Sequence, residues 1–181
     1  MGCDIHLYVE RQSKEHGRWE LVVPPDTGYD FSSKLPYDDI MAAAKAPYRH
    51  KRNGSVDPQD MTWFDDRNYR LFGYLSGVRG DPMSDTFVDL LDRDGEPPDP
   101  SDCMRNILET WAPDAHSHFW GTLDELNWFR VRLGTLFAVV PDRGRAELDR
   151  QSFRRFFQLL DELNGLTEDP RRLRIVAFYD N

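Results

Sequence analysis

Alternation of apolar and polar side chains is under way by the fifth residue. Ile5, Leu7 and Val9 fall on one side of an extended chain, and Asp4, His6, Tyr8 and Glu10 on the other. That pattern predicts a β-strand over 3–11. Trp19, Leu21 and Val23 repeat the period of two, so 18–23 is the second strand of an antiparallel hairpin. Ser13 to Gly17 form its polar turn, and Pro24-Pro25-Asp26 end it because proline cannot donate to a ladder. Far downstream, Leu173 to Tyr179 is a nearly unbroken run of strand-forming residues. Such a run is buried on both faces and belongs in the middle of a sheet.

Between these strands the period lengthens. Residues 26–36 read as irregular loop, and Tyr37 to Lys45 as a short helix closed by Pro47. Residues 46–62 are basic and polar with Gly and Pro, which predicts a surface loop able to act as a flap. Asp65 or Asp66 caps a helix to about Ser76, with Tyr69, Phe72 and Leu75 or Ser76 in one stripe and Gly77 at its stop. Short helices follow near 84–92 and 102–111, joined by a Gly- and Pro-rich linker over 95–100. Thr122 caps the next helix, with Glu125 at the capping-box position. Leu136 to Val140 fits strand or helix. The segment 147–164 is helical, since Phe153, Phe156, Phe157, Leu160 and Leu163 share a face and Gly165 follows. The order of elements predicts an α+β fold, one domain over 1–181. A small mixed or antiparallel sheet contains the N-terminal hairpin and the C-terminal strand, and helices pack mainly on one side.

Composition narrows the class. With 181 residues, 39% hydrophobic and 13% aromatic, the chain can bury one core. No apolar run approaches the ~20 residues of a membrane span, and no charged-then-apolar leader is visible. Met1-Gly2 lacks the Ser or Thr that myristoylation wants where His6 stands. Two cysteines, Cys3 and Cys103, do not make a disulfide framework, so a reduced, cytoplasmic setting is expected. A net charge of −9 argues against a general nucleic-acid binder. The basic clusters at 49–52 and 171–174 read as solvated loop and strand-flanking charge rather than a phosphate patch.

The polar half of the first strand carries more chemistry than a solvated face requires. Asp4 and His6 are two apart, as are His116 and His118. On neighbouring strands these four would converge on one divalent metal, with Asp180 or Asp114 completing the shell or orienting an imidazole. The alternative is a buried hydrogen-bond network in which Asp4 fixes a histidine tautomer, and whether any cofactor is needed stays open. Arg79, after a helix end and a glycine, would clamp a phosphate or carboxylate with Asn68 and Tyr69 one helix back, or else form a salt bridge. Trp120 would stack on a ring or join the core. Cys3 beside an acid makes a poor nucleophile, and no nucleophile elbow surrounds Ser117.

Several blocks carry a resemblance. They are Met1-Gly2-Cys3-Asp4-Ile5-His6; Arg67 to Phe72 running into Leu75-Ser76-Gly77-Val78-Arg79; His116 to Leu123 with Glu125-Leu126; and Arg174-Ile175-Val176 to Asp180-Asn181. They cover about a third of the chain, in order, and together resemble a family of uncharacterised phage and prophage proteins. This chain departs from that pattern at Phe119-Trp120-Gly121-Thr122 and has a longer middle. The resemblance implies a phage origin, a host-cell cytoplasmic location and a site, but no reaction. Residues and resemblance together lead to a protein that binds, and in one version hydrolyses, a small anionic, nucleotide-like ligand to counter host defence signalling. His6 and His118 would act as acid and base, Arg79 would neutralise charge, His116 and Asn68 would hydrogen-bond, and Trp120 or Tyr69 would stack. The other expectation is an inhibitor of a host enzyme, working through an acidic, aromatic-bearing surface with purely structural histidines.

Overall fold

The computed structural model describes residues 4–24, 61–64, 69–76, 95–139 and 143–180. β1 (Ile5–Gln12) and β2 (Trp19–Val22) form the expected hairpin. Their turn closes through Ser13 N donating to Arg18 O at 2.8 Å and Gly17 N to Ser13 O at 3.1 Å. Gly17 sits at φ 70°, a backbone region costly for residues with a Cβ.

β4 (Leu173–Tyr179) pairs antiparallel with β1, from Ile5 opposite Tyr179 to Arg11 opposite Leu173. β3 (His116–Thr122) pairs antiparallel with the other edge of β4. The sheet order is β2-β1-β4-β3, so β4 is central and every one of its residues is buried, as an apolar run of that length demands. β2 covers only the later part of β1. Along the earlier part, Trp63 N donates to Leu7 O at 2.8 Å and Phe64 bridges Leu7.

Period two divides the core. Ile5, Leu7, Val9, Ile175 and Ala177 face α1 (Tyr69–Ser76), α3 (Leu123–Val139) and α4 (Arg143–Gly165). Tyr8, Val176 and Phe178 face the opposite way, toward α2 (Asp102–Trp111). Helices therefore lie mainly on one side, with α2 alone on the other among the described residues. Thr122 and Glu125 make the expected capping box: Thr122 N donates to Glu125 Oε2 at 2.8 Å and Glu125 N to Thr122 Oγ1 at 3.3 Å. The ambiguous run after 135 continues α3 as helix to Val139. In α4, Phe153, Phe156, Leu160 and Leu163 are buried as their spacing predicts, and Phe157 is packed against them in part.

Some expectations shift. Leu71, Tyr74 and Leu75 of α1 are buried, so Leu75 of the expected set is in the core, while the side chains of Tyr69 and Phe72 lie outside the described residues. Met61, assigned to a surface loop, is buried against the α2 side. The helices expected at 37–45 and 84–92, the cap at Asp65 or Asp66, and Gly77 lie outside the described residues. No helix among the described residues is long and apolar enough to cross a membrane.

Candidate functional site

The β1–β4 ladder extends one pair beyond its strands. Asp180 N donates to Asp4 O at 3.2 Å, and Asp4 N donates to Asp180 Oδ1 at 3.1 Å. One carboxylate oxygen is thereby fixed by main chain. The other, Oδ2, lies 3.1 Å from His6 Nε2. The contact is within ion-pair distance but misses hydrogen-bond alignment, and that nitrogen is buried without a hydrogen-bond partner. His6 is only 7% exposed: Trp111, the last residue of α2, covers it with ring centroids 4.4 Å apart, and Phe178 lies at 5.3 Å. An imidazole packed on two aromatic rings and next to an anchored carboxylate has the geometry in which the carboxylate sets the tautomer and ring orientation.

The two downstream histidines part company. The register of β3 runs His116 opposite Tyr179, then Phe119 opposite Ala177, so Ser117 and His118 together stand against Phe178. Ser117 takes a left-handed φ of 52° in this bulge. The extra residue puts His116 on the Tyr179 face, its ring 6.0 Å from that phenol, and leaves His118 on the Phe178 face at 5.8 Å. His116 Nδ1 and Ser117 Oγ are 3.0 Å apart. The His118 side chain is 19% exposed; its Nε2 is 3.9 Å from Glu96 Oε1 and has no hydrogen-bond partner. Burial holds the His118 pKa below the usual imidazole value; Glu96 opposes that shift and His116 adds to it.

The expected metal set of Asp4, His6, His116 and His118 does not converge. His6 and His118 stand on strands either side of β4, about 9.5 Å apart by two strand spacings, with Phe178 between them. Among the described residues no group of three or more His, Cys, Asp and Glu could hold a metal ion. Asp114 is exposed in the turn after α2. Asp180, one of the carboxylates named from sequence, reaches His6.

Further along the same face lies a network that sequence reasoning missed. Arg174, read as strand-flanking charge, is 1% exposed and stands opposite Glu10, which is 0% exposed. Arg174 Nε donates to Glu10 Oε2 at 2.8 Å, Nη1 to Asp99 Oδ1 at 2.7 Å and Nη2 to Asp99 O at 2.8 Å. Ser101 N donates to Glu10 Oε1 at 2.8 Å, while Ser101 Oγ caps α2 by accepting from Met104 N. The guanidinium lies 3.9 Å from the Trp19 ring centroid and 5.6 Å from that of Trp120. Trp120, a candidate for ligand stacking, is thus partly buried against this arginine and the α2 cluster. The readable signal was a lone arginine inside an apolar strand, which must be paired if the strand is buried.

Of the remaining candidates, Tyr69 is the first residue of α1, and Asn68 and Arg79 lie outside the described residues. Cys103 is buried in α2, and burial, with Glu10 nearby, pushes its thiol pKa up to about 12. That removes it as a nucleophile. No protein family, curated protein or solved structure matches the chain.

Proposed function

We propose that this protein binds a small anionic, nucleotide-like ligand at the end of the sheet where β1 and β4 close on each other. The observation that carries this reading is the His6–Asp180 pair, an anchored carboxylate beside an imidazole whose Nε2 is buried without an aligned partner. A buried polar group left short of partners calls for an explanation, and a ligand supplies one. The aromatic surround of Trp111 and Phe178 suits a planar ring, and His118, neutral at pH 7, offers a donor and an acceptor two strands away. Arg79 takes the charge-neutralising role assigned from sequence. A hydrolytic version uses His6 as the base with Asp180 behind it. The resemblance to phage proteins supports removal of a host defence signal as the purpose.

A thermal-shift panel of nucleotides and divalent cations tests this. A ligand present at a hundred times its Kd adds about 2.7 kcal/mol to stability, a shift of several degrees. His6→Ala should lose that shift, and Arg79→Lys, with affinity about ten-fold weaker or more, should lose about half of it or more. If no nucleotide moves the native protein, the reading fails.

A second reading has its own observation. Trp128 and Val131 on α3 are 50% and 66% exposed, beside Asp124 and Glu125. An aromatic anchor flanked by two acids, with the Arg132 guanidinium 4.7 Å over its ring, suits an inhibitor of a host enzyme, with the histidines purely structural. A flat nucleotide panel favours it.

A further inference from the structure

Where β1 ends, on the opposite face from His6, a cleft of about 460 Å³ opens between the β1–β2 turn and the connection from α4 to β4. Its size is that of small-ligand pockets, ~300–1,000 Å³. Arg11, Lys14, Glu20, Thr167, Glu168 and Arg172 are among its lining residues. The charges there are unevenly matched. Glu168 sits 3.5 Å from Lys14, and Glu20 sits 3.1 Å from His16. Asp169 is taken by Arg171, whose Nε donates to it at 3.0 Å. Neither remaining guanidinium has a carboxylate at ion-pair distance among the described residues, although the charge of Arg172 also acts on Asp169. Arg11 stands beside Glu20 across the hairpin but makes no salt bridge among the described residues. Arg172 donates from Nη2 to Gln12 O at 3.1 Å, while its Nε is buried with no hydrogen-bond partner. A buried arginine donor without an acceptor is costly and calls for an explanation.

We propose that this cleft is a second binding site, selective for a small organic oxyanion, either a phosphomonoester or a carboxylate, received by Arg11 and Arg172. Both groups present oxygens that match the guanidinium fork. Leu166, which is 46% exposed, supplies an apolar wall for the organic part. The site is independent of the His6–Asp180 pair. Five residues of β1, about 17 Å, separate Arg11 from His6, and Arg11 lies on the Val9 face rather than the Glu10 face.

The test is a heteronuclear NMR titration of the full-length ¹⁵N-labelled protein with inorganic phosphate and, separately, acetate, at constant ionic strength with chloride as the control ion. Binding at this site moves the amides of Ser13, Lys14, Thr167 and Arg172 in a saturable way, and the stronger probe tells phosphate from carboxylate recognition. Arg172→Lys and Arg11→Met should each weaken the apparent affinity about ten-fold or more. Arg11 is exposed, so Arg11→Met carries the test should Arg172→Lys unfold. The proposal is overturned if chloride reproduces the shifts, if neither probe moves these amides, or if the folded variants titrate like the native chain.

Discussion

At one end of the β1–β4 ladder Glu10 meets Arg174; at the other, His6 meets Asp180. Both pairs involve the α2 side of the sheet and both are largely withdrawn from water, yet they are built differently. Every observed feature of the first is closed: Glu10 accepts from Arg174 and from Ser101 N, and Arg174 reaches Asp99 and lies over Trp19. The second is closed on one side only, with Asp180 Oδ1 fixed and His6 Nε2 unaligned. A fully satisfied ion pair holds segments in register, here the 95–101 segment and the start of α2 against the sheet. An incompletely satisfied one keeps capacity for a ligand. The comparison teaches that two largely buried pairs on one face can differ in how completely their hydrogen bonds are made.

The largest effect should come from breaking the closed pair. Arg174→Met strands a carboxylate that is 0% exposed and should cost about 3–5 kcal/mol. Glu10→Leu with Arg174→Met removes both charges, and urea unfolding should show most of that loss recovered. A double variant no more stable than Arg174→Met would mean that the network acts through more than its charge balance.

A smaller effect distinguishes His118 from its neighbours. Its pKa is lower folded than unfolded, so the unfolded chain binds more protons as pH falls below the ordinary imidazole value. Its contribution to stability is present above pH ~6.5 and is lost as pH falls toward the folded pKa. His118→Phe should flatten the stability profile in that window, as followed by urea midpoints at several pH values. An unchanged slope would assign the acid sensitivity to other groups.

The smallest effect is on Cys103. In a Cys3→Ser background its thiol, with a pKa of about 12, should resist alkylation until the protein unfolds. Labelling in the native state, followed by mass spectrometry, would show that α2 opens away from the sheet.

Much of this architecture was legible because its causes are local. The Thr122–Glu125 box, the apolar run of β4 and the face of α4 each follow from spacing within one element. The pairing of β1 with β4 followed from the same run needing neighbours on both edges. The site was legible in part. His6 and Asp180 could be named from sequence, but Trp111 over the imidazole depends on which way α2 packs. The split between His116 and His118 rests on one inserted residue at Ser117, and period-two reasoning has no means to anticipate a bulge. Arg174 was misjudged because the flanking arginines made it look like one of a solvated cluster.

The most direct test of the difference between the two pairs is urea unfolding of His6→Ala, run with and without whichever nucleotide the thermal-shift panel selects. The account predicts a cooperative transition, a loss of about 1–2 kcal/mol, well short of that in Arg174→Met, and no stabilisation by the nucleotide. A loss as large as that of Arg174→Met, with nucleotide stabilisation intact, would make His6 a structural residue and contradict it.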